Sequence, residues 1–540
     1  MNPISNIDIG IIFAYFAFVM GIGFYVSRKT KTSEDLFLGG RTFTYGLIGL
    51  SLFASNISSA TLVGLSGAAY STGVVQSVYE WLSGIPLIIA AVVFVPLYLR
   101  SKITTIPEFL EKRFDRRSQV FFSVMTIASS VLIEMAGGLY AGSIVLQTFF
   151  PDLVLWQTCL GLAIVAGVYT AFGGLKAVVI TDAVQSIILI IGCTVLTWVL
   201  FGKLDYSWEK VVASAPEGHF SMIRPLDDES MPWSGLFLGV PILGFWYWTT
   251  NQYIIQRVLG AQDIKHARWG MILAGFLKVI PLFVMVIPGA MAISLFPVDQ
   301  FPELAENTNK VFPTIVTQAL PVGMVGIVLA GLISAIMSSV DSTLNSASTL
   351  VVVDFVKPNN PNLTEKDTVK YGRITTVVLM LIAAFWAPNI DHFQDLWSYL
   401  QKMFSILVPP IAVIFLVGVF YKRGNADGSF WTLVIGTILG ALLFLVTDTA
   451  PWEAMMGEGT EKIINLHYTS NVGIMTALSA VIFVVISKMT PAPDPAQVEL
   501  LTFRRELLND GMGGLPWYKD YRFHMVLLVI LMTVIMIYFW

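Results

Sequence analysis

Long uncharged apolar runs alternate with short polar stretches along the whole chain. Runs of roughly 20 apolar residues match the thickness of a bilayer's hydrocarbon core. They predict about fourteen transmembrane helices, near 8–26, 45–71, 78–100, 118–149, 156–174, 178–202, 235–260, 268–296, 319–356, 372–389, 395–420, 428–448, 471–489 and 523–540. The first run is longer than a signal peptide's and its basic residues follow it, so it is expected to remain as the leading helix.

Two runs break the apolar pattern. Ser51 to Gly67, SLFASNISSATLVGLSG, crowds Ser51, Ser55, Asn56, Ser58, Ser59 and Thr61 into its middle. A helix in lipid satisfies its own backbone, and irregular backbone at that depth is tolerated only where it is buried or lines a watery cavity. A broken helix holding something polar is one reading; close packing through small residues is the other. In LGVPILGFWYWTTNQYIIQ (238–256), Pro241 and Gly244 interrupt the run before Trp246, Tyr247 and Trp248. Thr249, Thr250, Asn251 and Gln252 follow. A pair of interrupted spans in corresponding positions points to a transporter site. They open two sets of five spans, 45–202 and 235–420. The odd offset between the sets inverts the second, leaving 8–26 as a leading helix and 428–540 as C-terminal helices.

Composition narrows the class. Charged residues make up 13% and hydrophobic ones 55%, against roughly 25% charged in soluble domains. The net charge of −4 gives no basic surface for nucleic acid. Two cysteines and five scattered histidines exclude a disulfide framework and a Cys- or His-based metal site, and the histidines read as surface or interfacial. Lys and Arg gather in every second loop: Arg28, Lys29 and Arg41, then Arg113 and Arg116, then Lys265 and Arg268. Asp227, Asp228, Asp299 and Glu303 occupy the alternate ones. The cytoplasmic excess of positive charge then puts both termini outside.

Charges within the spans are costly and mark candidate sites: Glu80, Glu134, Asp182, Lys278 and Asp341. Ser338, Asp341, Ser342 and Asn345, at i, i+3, i+4 and i+7, share one helix face. Such a face suits a hard cation that takes oxygen ligands, or an interhelical hydrogen-bond ladder. Asp182 and Asp341 together form a candidate two-carboxylate site for a cation or proton. Glu80 and Ser83 share a face at i, i+3, and Lys278 is the base able to pair with Glu80 or to share a hydroxylated ligand with it. No nucleotide or hydrolase motif appears, so transport must draw on an ion gradient.

The segments FASNISSATLVGLSG, YEWLS, ITTIPEFLEKRF, YTAFGGLKAVVITDAVQ, WYWTTNQYIIQRVLGAQ, FLKVIPLFVMVIPG, SSVDSTLNSASTL and LQKMFSILVPPIAVIFLVGVFYKR carry a resemblance over nearly the whole length. The chain resembles the sodium/solute symporter family in its sodium/glucose cotransporter branch. That resemblance implies an all-α membrane protein with a LeuT-like 5+5 inverted-repeat core, flanking helices and alternating access. It implies Na+ held by carbonyls of Ala54, Ile57 and Ala335 and hydroxyls of Ser338 and Ser339. A second sodium would take Asp182, Ser338, Asp341 and Ser342. The substrate site maps to Asn56, Thr61, Glu80, Ser83, Trp248, Lys278 and Gln401, with Tyr247 as inner gate. Thr61 stands where sugar carriers of the family have Gln or His, and Gly244 replaces a polar side chain. The expected function is sodium-coupled import of a neutral sugar or polyol by a multi-pass protein of the plasma (inner) membrane, in contact with lipid. Inositol, sialic acid, an amino acid or a monocarboxylate is the alternative cargo, and a non-transporting sugar sensor the alternative class.

Overall fold

The computed structural model describes residues 4–28, 32–228, 230–392, 396–448, 467–512 and 516–540. Eleven helices among the described residues are long and apolar enough to cross a membrane. Tyr45–Asn56 (α2) and Ser59–Thr72 (α3) form a twelfth crossing, bent by 59° at the break between them. The sequence predicts about fourteen; the two remaining runs form the first part of Leu155–Lys203, where Leu155–Gly167 is a shorter apolar helix, and Trp233–Thr249 (α7) with Gln252–Leu259 (α8).

In chain order the remaining long helices are Asn6–Ser27 (α1), Val74–Arg100 (α4), Arg116–Phe149 (α5), Leu155–Lys203 (α6) and Ile264–Leu295 (α9). Met324–Asn359 (α10), Glu365–Asp391 (α11), Leu396–Phe420 (α12), Ala426–Asp448 (α13), Tyr468–Met489 (α14) and Tyr521–Tyr538 (α15) follow. The polar-rich α10 is the most enclosed, with 89% of its apolar window buried, against 17% for α1 and 22% for α15. It packs chiefly on α6, with α1 and α11 beside it. Exposed Phe13, Phe18, Val534 and Ile537 mark α1 and α15 as outer helices of the bundle.

The break between α2 and α3 follows from side chains that compete for backbone partners. Ser58 N–H turns back to Asn56 O at 3.1 Å, and Ser58 Oγ accepts Thr61 N–H at 3.1 Å. Those amides would otherwise bond the carbonyls of Ala54 and Ile57, four residues earlier, which are thereby released. The second break falls elsewhere than the sequence suggested. Helix α7 runs through Pro241 and Gly244 and ends at Thr249. There, Trp246 O takes both Thr250 N–H (2.9 Å) and Asn251 N–H (3.1 Å), and the Asn251 side chain caps α8 by accepting Tyr253 N–H at 3.3 Å. Capping by Asn outweighs the proline here, because Pro removes one bond whereas Asn offers the next helix a start.

Close helix approach depends on glycine at few positions. A β-carbon on Gly289 of α9 would sit 2.4 Å from Ser66 O of α3. Gly174 holds φ +62°, letting the two parts of α6 meet at an angle beside Leu36.

Some loop charges are structural. Arg113 is buried and donates to the carbonyls of Gly418 (3.1 Å), Tyr421 (3.2 Å) and Gly424 (3.1 Å), capping the end of α12. Arg268 is buried too, donating to Ala91 O at 3.1 Å and Asp510 O at 2.6 Å, which fastens the segment before α15. His219, expected at the surface or an interface, is instead buried, and its carbonyl accepts Val74 N–H at 2.9 Å.

Candidate functional site

Both breaks open onto one cavity. Its wall includes Ser55, Asn56, Ser58 and Thr61 from the first break, and Trp246, Tyr247, Trp248 and Tyr253 from the second. Helix α4 adds Glu80 and Ser83, and α12 adds Gln401. Of the eight residues expected to hold substrate, seven line this cavity: Asn56, Thr61, Glu80, Ser83, Tyr247, Trp248 and Gln401. Gly244 lies in the wall as well, where a β-carbon would come within 3.1 Å of Pro86 Cγ.

Lys278 stands behind the wall. Its ammonium contacts the Glu80 carboxylate and Asn56 Oδ1, and lies 5.8 Å from the centroid of the Trp248 ring. It is fully buried. The ion pair therefore presents a neutralised carboxylate to the cavity, and the same ammonium fixes the amide next to the first break. Thr61 Oγ1 donates to Asn56 O at 3.2 Å, so Thr61 supports the break as well as lining the cavity. Ser83 Oγ is spent on Tyr79 O at 2.8 Å in its own helix.

Next to the cavity, α2 meets the hydroxyl face of α10. Ser55 Oγ is 3.5 Å from Ser338 Oγ and 3.1 Å from Ser342 Oγ. Ser339 lines the cavity from α10, and its hydroxyl donates to Ala335 O at 2.8 Å. Ser55 and Ser339 thus bring the first break and the hydroxyl face of α10 to the same cavity.

The deeper group of acids differs from expectation. Asp182 does not face Asp341 as a bare carboxylate. It is fully buried against the equally buried Arg257, with Nη2 to Oδ2 at 3.1 Å. Asp182 Oδ2 also accepts Ser51 Oγ (2.6 Å) and Ser55 Oγ (3.0 Å), and Oδ1 accepts Ser338 Oγ (2.6 Å). Arg257 Nε donates to Ser51 Oγ at 2.7 Å, and Nη2 contacts Ser55 and Ser342. Asp341 lies alongside, accepting Ser342 Oγ at 3.2 Å. Arg257 thus contacts the Asp182 carboxylate and the Ser342 hydroxyl, two of the four groups that the resemblance implied for a second sodium. Sequence reading passed over Arg257 because it lies close to the end of an apolar run, where a positive charge reads as a flank. The capping Asn251 was the available signal: a new helix beginning there carries Arg257 inward, one turn beyond Tyr253.

The model of the sodium:solute symporter family matches residues 36–436. Human sodium/myo-inositol cotransporter 2 is 34% identical over 92% of this chain and 78% of its own length. Rabbit sodium/glucose cotransporter 1 is 33% identical over 90% and 80%. Among solved structures, a substrate-bound, outward-open Na+-coupled sialic acid symporter superposes with a TM-score of 0.78 at 21% identity. That match covers 90% of this chain and 99% of the other. A nucleobase-cation-symport-1 transporter gives 0.55 at 14% identity, over 87% and 99%. These likenesses show the fold, an all-α LeuT-like bundle. The chain belongs to the sodium:solute symporter family: it is a multi-pass membrane protein of the sodium-coupled kind, with sodium as the coupling ion.

Proposed function

We propose that this protein imports a neutral, polyhydroxylated ring, a hexose or a cyclitol, together with sodium by alternating access. The observation that carries the reading is the Glu80–Lys278 pair in the cavity wall. It offers charge-assisted hydrogen bonding to hydroxyls without a net charge for an ionic cargo to match. Trp248 and Tyr247 add aromatic faces suited to the apolar C–H surface of such a ring. An anionic cargo would call for a free cation in the wall, and Lys278 is engaged by Glu80 and Asn56. The curated relatives include carriers named for glucose and for myo-inositol, which is consistent with either ring.

Under this reading sodium binds at Ala54, Ile57, Ala335, Ser338 and Ser339, and substrate at Asn56, Thr61, Glu80, Ser83, Tyr247, Trp248 and Gln401, backed by Lys278. Coupling follows from adjacency: an ion that takes the carbonyls of the first break fixes its angle, and the fixed break sets Asn56 toward the ring. The breaks open two inverted five-helix sets within 45–202 and 235–420, with both termini on the extracytoplasmic side.

The test is calorimetric binding to purified protein in sodium or choline. Glucose, galactose and myo-inositol are the cargo candidates, with sialic acid as the anionic control. One of the neutral rings is expected to bind, at least 10-fold tighter in sodium. Binding of sialic acid alone would overturn the reading. A second test concerns the ion: Asp341→Ala is expected to change the sodium affinity or Hill slope of uptake, and unaltered values would leave Asp341 with a structural role only.

A further inference from the structure

Two carboxylates line the cavity, and only one is matched. Glu80 has Lys278, whereas Glu134, on α5, has no cation against it: Oε1 accepts Asn251 Nδ2 at 2.8 Å, and the Ser130 hydroxyl lies one turn before it on the same helix. Its Oε2 is buried and has no hydrogen-bond partner among the described residues. The neighbouring cations are committed elsewhere, Lys278 to Glu80 and Asn56, and Arg257 to Asp182 and three serines. Glu134 also lies in a wide, π-type turn, Ser130–Met135, a backbone irregularity frequent at functional sites. A buried acceptor left without a donor is costly. A group that enters and leaves the cavity removes that cost only while it is bound.

We propose that Glu134 is a specificity-determining residue, its Oε2 accepting a hydrogen bond from a ring hydroxyl on the side of the substrate away from Glu80. This rests on the neutral-ring reading above and adds a second polar anchor to it. Because Oε1 holds Asn251, the residue that starts α8, a ring bound to Glu134 is tied to the second break as Asn56 ties it to the first. A ring with hydroxyls on both edges satisfies the two anchors together; a ring with one bare edge leaves Oε2 unpaired.

The experiment is a deoxy-analogue scan with the full-length protein in liposomes. Wild-type sodium-dependent uptake of the parent ring comes first, and its absence is a failure of the neutral-ring reading, recognisable before any variant is used. Uptake efficiency is then measured for each monodeoxy analogue with wild type, Glu134→Gln and Glu134→Ala. In wild type, deletion of one particular hydroxyl is expected to cost roughly 10–100-fold, the size of a hydrogen bond to a charged acceptor. Glu134→Ala is expected to lower uptake of the parent by a similar factor and to abolish the penalty for that one analogue. Glu134→Gln, which keeps an acceptor oxygen, is expected to retain part of the discrimination. Ratios between analogues within one variant are independent of how much protein folds. The proposal is overturned if Glu134→Ala discriminates among the analogues as wild type does, or if an amino-substituted ring is preferred and loses that preference in Glu134→Gln.

Discussion

Glu80→Ala is expected to abolish sodium-driven uptake. The substitution removes the acceptor in the cavity wall and leaves the Lys278 ammonium fully buried with Asn56 alone. Breaking one side of a buried ion pair costs about 3–5 kcal/mol, most of it for the stranded charge. Loss of uptake in this variant therefore mixes folding with binding. The double variant Glu80→Gln/Lys278→Met separates them. It removes both charges at similar volume and is expected to recover thermal stability, because paired charges replaced together are often neutral in stability. Uptake is expected to stay absent. Recovery of uptake as well as stability would make the pair a structural tie and withdraw Glu80 from the substrate site.

The second large effect is expected at Arg257. Arg257→Ala leaves Asp182 buried with hydroxyl donors only, and a loss of about 3–5 kcal/mol of stability is expected when the variant is held in choline. Sodium is expected to restore part of that loss and to stabilise the variant more steeply than wild type. With the guanidinium gone, a sodium ion gains access to Asp182, Ser338 and Ser342 without competition, and a ligand that binds only the folded state stabilises by mass action. Thermal unfolding across a sodium–choline series gives the answer. Wild-type stability in choline would show that the pair does not hold α8 against α6. A deficit that sodium leaves unchanged would show that Asp182 takes no sodium even with the guanidinium gone.

The membrane class and the order of spans were legible from residue runs alone, since a bilayer leaves the chain few choices of spanning structure. The first break was legible as well, because Ser58 has a side chain that competes for amides at membrane depth. The second was misplaced onto Pro241 and Gly244. A proline inside a long apolar helix costs one bond, and neighbouring helices bury the resulting gap, whereas Asn251 actively caps. Arg257, Arg113 and Arg268 were passed over as sites of burial for a common reason. A one-dimensional pattern puts positive charge near a span end on the flank, and only the packing shows that the guanidinium turns inward to a carboxylate or to helix-end carbonyls. The wall positions of the cavity were readable as polar residues out of place. That Lys278 stands behind Glu80 was not, since pairing distance carries no trace in sequence. Glu134 was visible as a charge within a span, but its half-satisfied state needed Asn251 beside it.

The central claim is that a sodium gradient drives solute across the membrane through this cavity. The direct measurement is uptake of radiolabelled glucose, galactose and myo-inositol into proteoliposomes, with an inward sodium gradient and with choline in its place. Accumulation of one of these rings above its external concentration is expected only with the gradient, and collapse of the gradient by a sodium ionophore is expected to release it. Equal uptake in sodium and choline would contradict coupling, and sodium-dependent binding without accumulation would make the protein a sensor.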